Sequence, residues 1–171
     1  IVLVVVLLIG GTWRGRDFVF SKATGLPVAE NDITIDRSVR MKTPDGIVLV
    51  ADLFRPKKDG AFPTIVMRTP YGRAGSTTAI FAEFFARRGY NVICQDTRGA
   101  GDSGGEFIPL ANERKDGAAT IAWIKEQPWF NGQIATFGMS YLGYTSNAIA
   151  VQNDPAVKAV FTAVAPKGFR N

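Results

Sequence analysis

Ser140 stands in the run Phe137-Gly138-Met139-Ser140-Tyr141-Leu142-Gly143, after an apolar segment with strand character and before one with helix character. A serine on such a strand-to-helix turn projects its hydroxyl from the edge of a sheet, where it can act as a nucleophile. Glycine two residues earlier lets neighbouring backbone pass closely. The N–H of Tyr141 opens onto the same space and can bind an oxyanion, and the helix N-terminus adds positive potential there. The spacing departs from Gly-x-Ser-x-Gly, because Leu142 is two after the serine and Gly143 comes one later. A nucleophilic serine needs a base, yet there is no histidine among the 171 residues. The commonest general base and the commonest metal ligand are both missing. These residues therefore cannot complete a Ser-His-Asp, Cys-His or histidine–metal site by themselves, and no metal or cofactor is expected.

The elements that position Ser140 are legible from hydrophobic periodicity. Ile33, Ile35, Val39 and Met41 alternate with polar residues, as in a half-buried strand. Thr43-Pro44-Asp45-Gly46 is turn chemistry, and Ile47 to Phe54 completes a hairpin. Thr64 to Met67 and Asn91 to Gln95 read as strands buried on both faces. Between them a helix is expected from about Thr77 to Arg88, capped by Ser76 or Thr77 and closed by Gly89. A second helix is expected from about Glu113 to Glu126, capped by Asn112 and stopped before Pro128. A strand follows from Gln133 to Phe137, then a helix from Tyr141 to Val151 and a strand from Val157 to Ala163. A hairpin followed by β-α-β-α-β-α-β means a mainly parallel sheet covered by helices. A serine turn after several such units is the setting of the α/β-hydrolase nucleophile.

Four stretches carry a more specific signal: Arg68-Thr69-Pro70-Tyr71-Gly72; Gly89-Tyr90-Asn91-Val92 leading into Gln95-Asp96-Thr97-Arg98-Gly99 and Ser103-Gly104-Gly105-Glu106-Phe107; Asp116-Gly117 with Trp123, Gln127-Pro128-Trp129 and Asn131-Gly132; and Gly138 to Gly143. Over roughly residues 33–165 the chain resembles the cocaine esterase / X-prolyl dipeptidyl aminopeptidase (CocE/NonD) family of serine hydrolases, in which Leu142 is a usual elbow residue. The resemblance implies Ser140 as nucleophile, the Tyr141 backbone N–H as one oxyanion donor and the Tyr71 phenol as the other. It implies a small-molecule ester or amide, or a peptide, as substrate. The fold class expected is a partial α/β-hydrolase, a mainly parallel sheet with an N-terminal antiparallel hairpin, over residues 32–171. The triad acid and histidine would lie elsewhere: Asp154, the one acidic residue after Ser140, comes too early in the fold. A non-catalytic α/β binding module is the competing reading.

Several features carry blander meanings. The net charge of +5 comes from scattered basic residues, without the clustered patch that nucleic acid requires. Gly99-Ala100-Gly101-Asp102-Ser103-Gly104 fits G-x-G-x-x-G, but Pro109 delays the helix that a dinucleotide loop needs at once. It reads as a structural loop, braced by an Asp96–Arg98 ion pair. Cys94 reads as a core residue. Residues 1–31 read as a separate N-terminal stretch, irregular from residue 10 onward. Its first nine residues, Ile1 to Ile9, are uniformly apolar. They are too few to span a bilayer, which takes about 20. They fit an export or anchoring segment, although Arg14 and Arg16 follow the run rather than precede it, and a buried strand is the alternative.

Overall fold

The structure, a computed structural model, describes residues 13–166; the apolar run of residues 1–9 lies outside them. A helix, α1 (Trp13–Thr24), precedes a hairpin of β1 (Ile33–Lys42) and β2 (Val48–Pro56). Then come β3 (Phe62–Thr69), α2 (Ser76–Ala86), β4 (Asn91–Asp96), α3 (Glu113–Lys125), β5 (Phe130–Met139), α4 (Tyr141–Ala150) and β6 (Val157–Ala163). The strands form one sheet in the order β1-β2-β4-β3-β5-β6. The β1–β2 and β2–β4 pairs are antiparallel, and β3–β4, β3–β5 and β5–β6 are parallel. The mainly parallel sheet with its N-terminal hairpin is the one the periodicity implies.

Side-chain alternation divides the core between the two faces of the sheet. On one, Phe54, Ile65, Met67, Val92 and Cys94 pack with Ala82 and Ala86 of α2. On the other, Leu53, Val66, Ile93 and Ile134 pack with Ile121 and Ile124 of α3 and Ile149 of α4. The central strands are apolar on both sides because helices cover both. Each fully buried Ile, Leu or Phe contributes about 1.5–3 kcal/mol relative to exposure. No helix among the described residues is long and apolar enough to cross a membrane.

Three local expectations are corrected. Residues 10–31 read as irregular, yet Trp13–Thr24 is helical. Its sequence has no acidic first turn and no clear apolar stripe; tertiary contacts hold it. Asp17 pairs with Arg88 at 2.5 Å and accepts the Ala29 N–H at 2.6 Å. The side-chain caps are absent from two helices. Gly75 is the N-cap of α2, which places Ser76 and Thr77 inside the first turn. Asn112 caps α3 through backbone alone, its φ of −100° and ψ of −4° being helical rather than extended. Gly89 does close α2, at φ +93°: Gly89 N–H donates to Ala86 O and Tyr90 N–H to Phe85 O, at 3.1 and 3.3 Å, the paired bonds of a Schellman ending.

The third correction concerns the loop after β4. Asp96 and Arg98 do not pair. The Thr97 carbonyl accepts the Ala100 N–H at 3.0 Å, so the chain turns directly beyond Asp96. That turn aims Arg98 at α3 and the hairpin turn, where it binds Asp116 at 2.6 and 3.0 Å and Asp45 at 2.9 and 3.0 Å. Asp96 faces Arg73 instead, at 2.5 Å. The glycine-rich loop is nonetheless structural. It is stitched to β2 by Gly104 N–H to Val48 O at 2.8 Å and Val50 N–H to Ser103 Oγ at 2.9 Å. A Cβ on Gly101 would overlap the Asp96 carboxylate, so this glycine serves close packing within the protein.

Bonds from Arg98, then Thr43 and Lys115, hold the Asp45 carboxyl well below the ordinary carboxylate range. A carboxyl whose pKa is depressed on folding stabilises the native state above its unfolded pKa, and loses that contribution as pH falls toward the folded value. Asp45→Asn should therefore lower the thermal midpoint at pH 7. The gap between variant and parent should begin to close below about pH 4, the ordinary carboxylate value. Thermal unfolding of both proteins between pH 2 and 7 checks this.

Candidate active site

The chain passes from β5 into α4 through Ser140, whose φ of 55° and ψ of −124° lie outside the usual region for a residue with a side chain. Such a conformation costs about 1–3 kcal/mol and persists only where its surroundings over-determine it. Here they do. Ser140 N–H donates to Ala163 O of β6 at 3.0 Å, and its carbonyl accepts the Tyr144 N–H at 3.2 Å to start the helix. A Cβ on Gly138 would overlap the backbone carbonyl of Leu142, and one on Gly143 would sit 2.9 Å from Ala165 Cβ and Thr162 Oγ1. The first glycine lets the helix fold back over its own strand, as expected from the sequence. The second lets α4 lie against β6, which explains a glycine three residues after the serine rather than two. Leu142 is freed to line the cleft.

That cleft has a volume of about 410 Å³, and Ser140, Tyr71, Leu142, Met67, Phe81 and Phe137 are among its walls. The Ser140 hydroxyl is exposed, and none of the described residues hydrogen-bonds it. Tyr71 is 67% exposed, on the segment between β3 and α2. Its ring meets that of Tyr141 edge-on, with centroids 6.5 Å apart. The three residues singled out by sequence are therefore neighbours at the carboxyl end of β3 and β5. The N–H of Tyr141, in the first turn of α4, is one of the donors that a helix leaves without an internal acceptor.

The Tyr141 side chain has a task that the sequence did not disclose. Its hydroxyl donates to Glu113 Oε1 at 2.9 Å and accepts the Leu110 N–H at 2.9 Å. Burial raises its pKa, the Glu113 carboxylate adds to that rise, and the Leu110 bond only partly opposes them, so the phenol keeps its proton. Glu113 is itself buried, beside fully buried Arg68. Arg68 Nη1 lies 2.9 Å from Glu113 Oε2 and donates to the Glu113 carbonyl at 3.1 Å; Nε donates to Gln95 Oε1 at 2.8 Å. Nη2 has no hydrogen bond, and its nearest carboxylate is Asp116 at 3.9 Å. The first turn of α4 is thus fastened through one phenol to a charge cluster under the site.

Other candidates fall away on geometry. Burial, reinforced by the carboxylates of Asp52 and Asp96, pushes the Cys94 thiol far up, so it stays protonated in the core. Asp154 pairs with Lys125 at 2.9 Å on the surface. No group of three metal-binding side chains occurs among the described residues.

A sequence profile of the X-Pro dipeptidyl-peptidase (S15) family matches residues 45–171. The chain belongs to that family. Cocaine esterase from Rhodococcus sp. (strain MB1 Bresler) is 37% identical over 142 residues, covering 81% of this chain and 25% of the esterase. A CocE/NonD family hydrolase from Staphylococcus aureus has a similar structure, with a TM-score of 0.68 and 28% identity over 75% of this chain and 27% of its own. An α-amino acid ester hydrolase gives a TM-score of 0.65 at 26% identity, covering 80% of this chain and 26% of its own. These three relatives are hydrolases by name, and this chain spans about a quarter of the length of each.

Gly138→Ala should destabilise the protein by about 1–3 kcal/mol or more, as overpacking does where backbone cannot yield. Tyr141→Phe should cost about 1–3 kcal/mol, by leaving the Leu110 N–H without its acceptor. Urea unfolding monitored by circular dichroism measures both.

Proposed function

We propose that this chain carries the nucleophile of a serine hydrolase acting on an ester or amide, either an acyl ester or amide or an X-Pro dipeptidyl bond. The observation that carries the reading is Ser140 itself: a positive-φ serine between β5 and α4, its hydroxyl open to a cleft shared with Tyr71. Strain of this kind is kept at functional sites. In this reading Ser140 Oγ attacks the substrate carbonyl carbon and passes its proton to a base. The carbonyl oxygen becomes an oxyanion held by the Tyr141 N–H and the Tyr71 hydroxyl. Collapse expels the alcohol or amine with that proton, and water then releases the acid from the acyl-enzyme. The apolar walls from Met67, Phe81, Phe137 and Leu142 would face the substrate.

The base and acid of the triad belong, in this proposal, to polypeptide outside these 171 residues, which include no histidine. The exposure of Val160 and Phe161 on β6 supports further structure against that strand, since parallel strands are ordinarily covered on both faces. The missing histidine also favours a second reading, a binding module without turnover. The protein expressed from its complete reading frame separates the two. Burst kinetics with a p-nitrophenyl ester and labelling of Ser140 by a fluorophosphonate are expected, both abolished in Ser140→Ala. Tyr71→Phe should lower kcat by about 100- to 1,000-fold, the usual loss for one oxyanion donor. A stable protein with neither burst nor label is a binding module.

A further inference from the structure

The Tyr71 hydroxyl can serve as a fixed donor only if the segment bearing it is fixed, because the ring itself is largely exposed. Pro70 to Gly75 joins β3 to α2 without belonging to either. Its backbone holds few local bonds: Tyr71 N–H to Thr69 Oγ1 at 3.0 Å, and Gly75 N–H to Gly72 O at 3.1 Å. Gly72 turns the chain at φ +93°. Among the described residues, one side chain of this segment hydrogen-bonds into the sheet, and it is Arg73.

Arg73 is extensively bound. Nε donates to Asp52 Oδ1 at 2.9 Å, Nη1 to Asp96 Oδ2 at 2.5 Å, and Nη2 to Asp102 Oδ2 at 2.7 Å and Ser38 Oγ at 3.1 Å. Its backbone N–H adds a bond to Asp96 Oδ1 at 2.6 Å. Asp52 and Asp96 are buried on neighbouring strands β2 and β4. Asp52 also accepts Arg37 Nη1 at 2.5 Å and the Ser38 N–H at 3.2 Å, and Asp96 the Asp102 N–H at 3.2 Å. Ser38 reaches this cluster from a bulge in β1, at φ 57°; bulges re-aim strand residues in this way. Burial opposes the charge on Arg73, but bonds from the three carboxylates outweigh it and keep the guanidinium protonated. One planar fork, with both backbone and side chain on the same buried carboxylate, fixes the loop in position and in orientation.

We infer that Arg73 is a positioning residue for Tyr71: by locking the Pro70–Gly75 segment onto Asp52 and Asp96, it holds the Tyr71 hydroxyl over the cleft beside Ser140. The catalytic consequence rests on the serine-hydrolase reading above; the anchoring does not. Lysine keeps the charge but gathers its three donors on one atom without a planar fork, so it cannot reproduce the four side-chain bonds that Arg73 makes from three nitrogens. The exposed partner Asp102 can be changed without unpairing a buried charge.

The test begins with ¹³C-labelled tyrosine rings in the 171-residue chain, its four tyrosines assigned by single Tyr→Phe substitutions. Arg73→Lys should shift the Tyr71 ring signal and speed its relaxation, while the signals of Tyr90 and Tyr144 stay in place. Asp102→Asn should produce a smaller change in the same direction. A Tyr71 signal unchanged in folded Arg73→Lys overturns the inference; if that variant does not fold, an unchanged signal in Asp102→Asn overturns it. In the complete hydrolase, Arg73→Lys should lower kcat by about 10- to 100-fold, the scale of an ångström-sized misplacement, with little change in KM. In a Tyr71→Phe background the same substitution should cost almost nothing further. Independent losses that multiply would show that Arg73 does not act through Tyr71, and would overturn the inference. A complete protein without esterase activity removes the serine-hydrolase reading, and the ring signals still decide whether Arg73 anchors Tyr71.

Discussion

Arg68 is the constraint around which the site is arranged. It is a fully buried cation near the end of a central strand, and a buried charge is tolerated only with partners and hydrogen bonds. Those partners are Gln95 on β4 and Glu113 with Asp116 on α3, so pairing one guanidinium fixes the start of α3 against the sheet. Glu113 then receives the Tyr141 hydroxyl, and Thr145 of α4 donates to the Arg68 carbonyl at 2.9 Å. The helix that begins at Ser140 is therefore attached to β3 and α3 through polar contacts as well as through Ile149. Replacing such a cluster with apolar side chains can be neutral for stability; the directional bonds would be lost, and with them the orientation of the first turn of α4.

The polar contacts at the carboxyl edge of the sheet fall into two sets. One, built on Arg68 and Arg98, binds α3, the hairpin turn and α4. The other, built on Arg73, binds the β3–α2 connection to β1, β2 and the loop after β4. Ser140 sits beside the first and Tyr71 beside the second. The two residues face one cleft but are held by separate guanidinium clusters, so their spacing depends on the parallel β3–β5 register between them. Ser140 carries backbone strain, which close-packed glycines and the bond to Ala163 offset.

The apolar pattern of the strands, the three helices after β3 and the turn at Ser140 were legible in the sequence. Period-two and continuous apolar runs follow from which faces of a strand are covered, and a Gly-x-Ser between a strand and a helix marks a turn that few other residues allow. The helix Trp13–Thr24 was not legible, since its contacts to Arg88 join residues 71 positions apart. The pairing of the acidic and basic residues was not legible either. Asp96 and Arg98 are two apart in sequence, yet the turn after β4 sends them to opposite partners.

The sequence by itself determined the order of elements from the hairpin onward, the two-sided core and the residue at the elbow, because each depends on local spacing and on side-chain type. Only the tertiary structure decided which carboxylate meets which guanidinium, that the Tyr141 phenol faces Glu113 rather than the cleft, and that Tyr71 stands beside Ser140. Those outcomes depend on strand order and on the direction of loops, which bring together side chains far apart along the chain. Charge attraction has no periodicity in sequence; geometry selects among the partners that composition makes available.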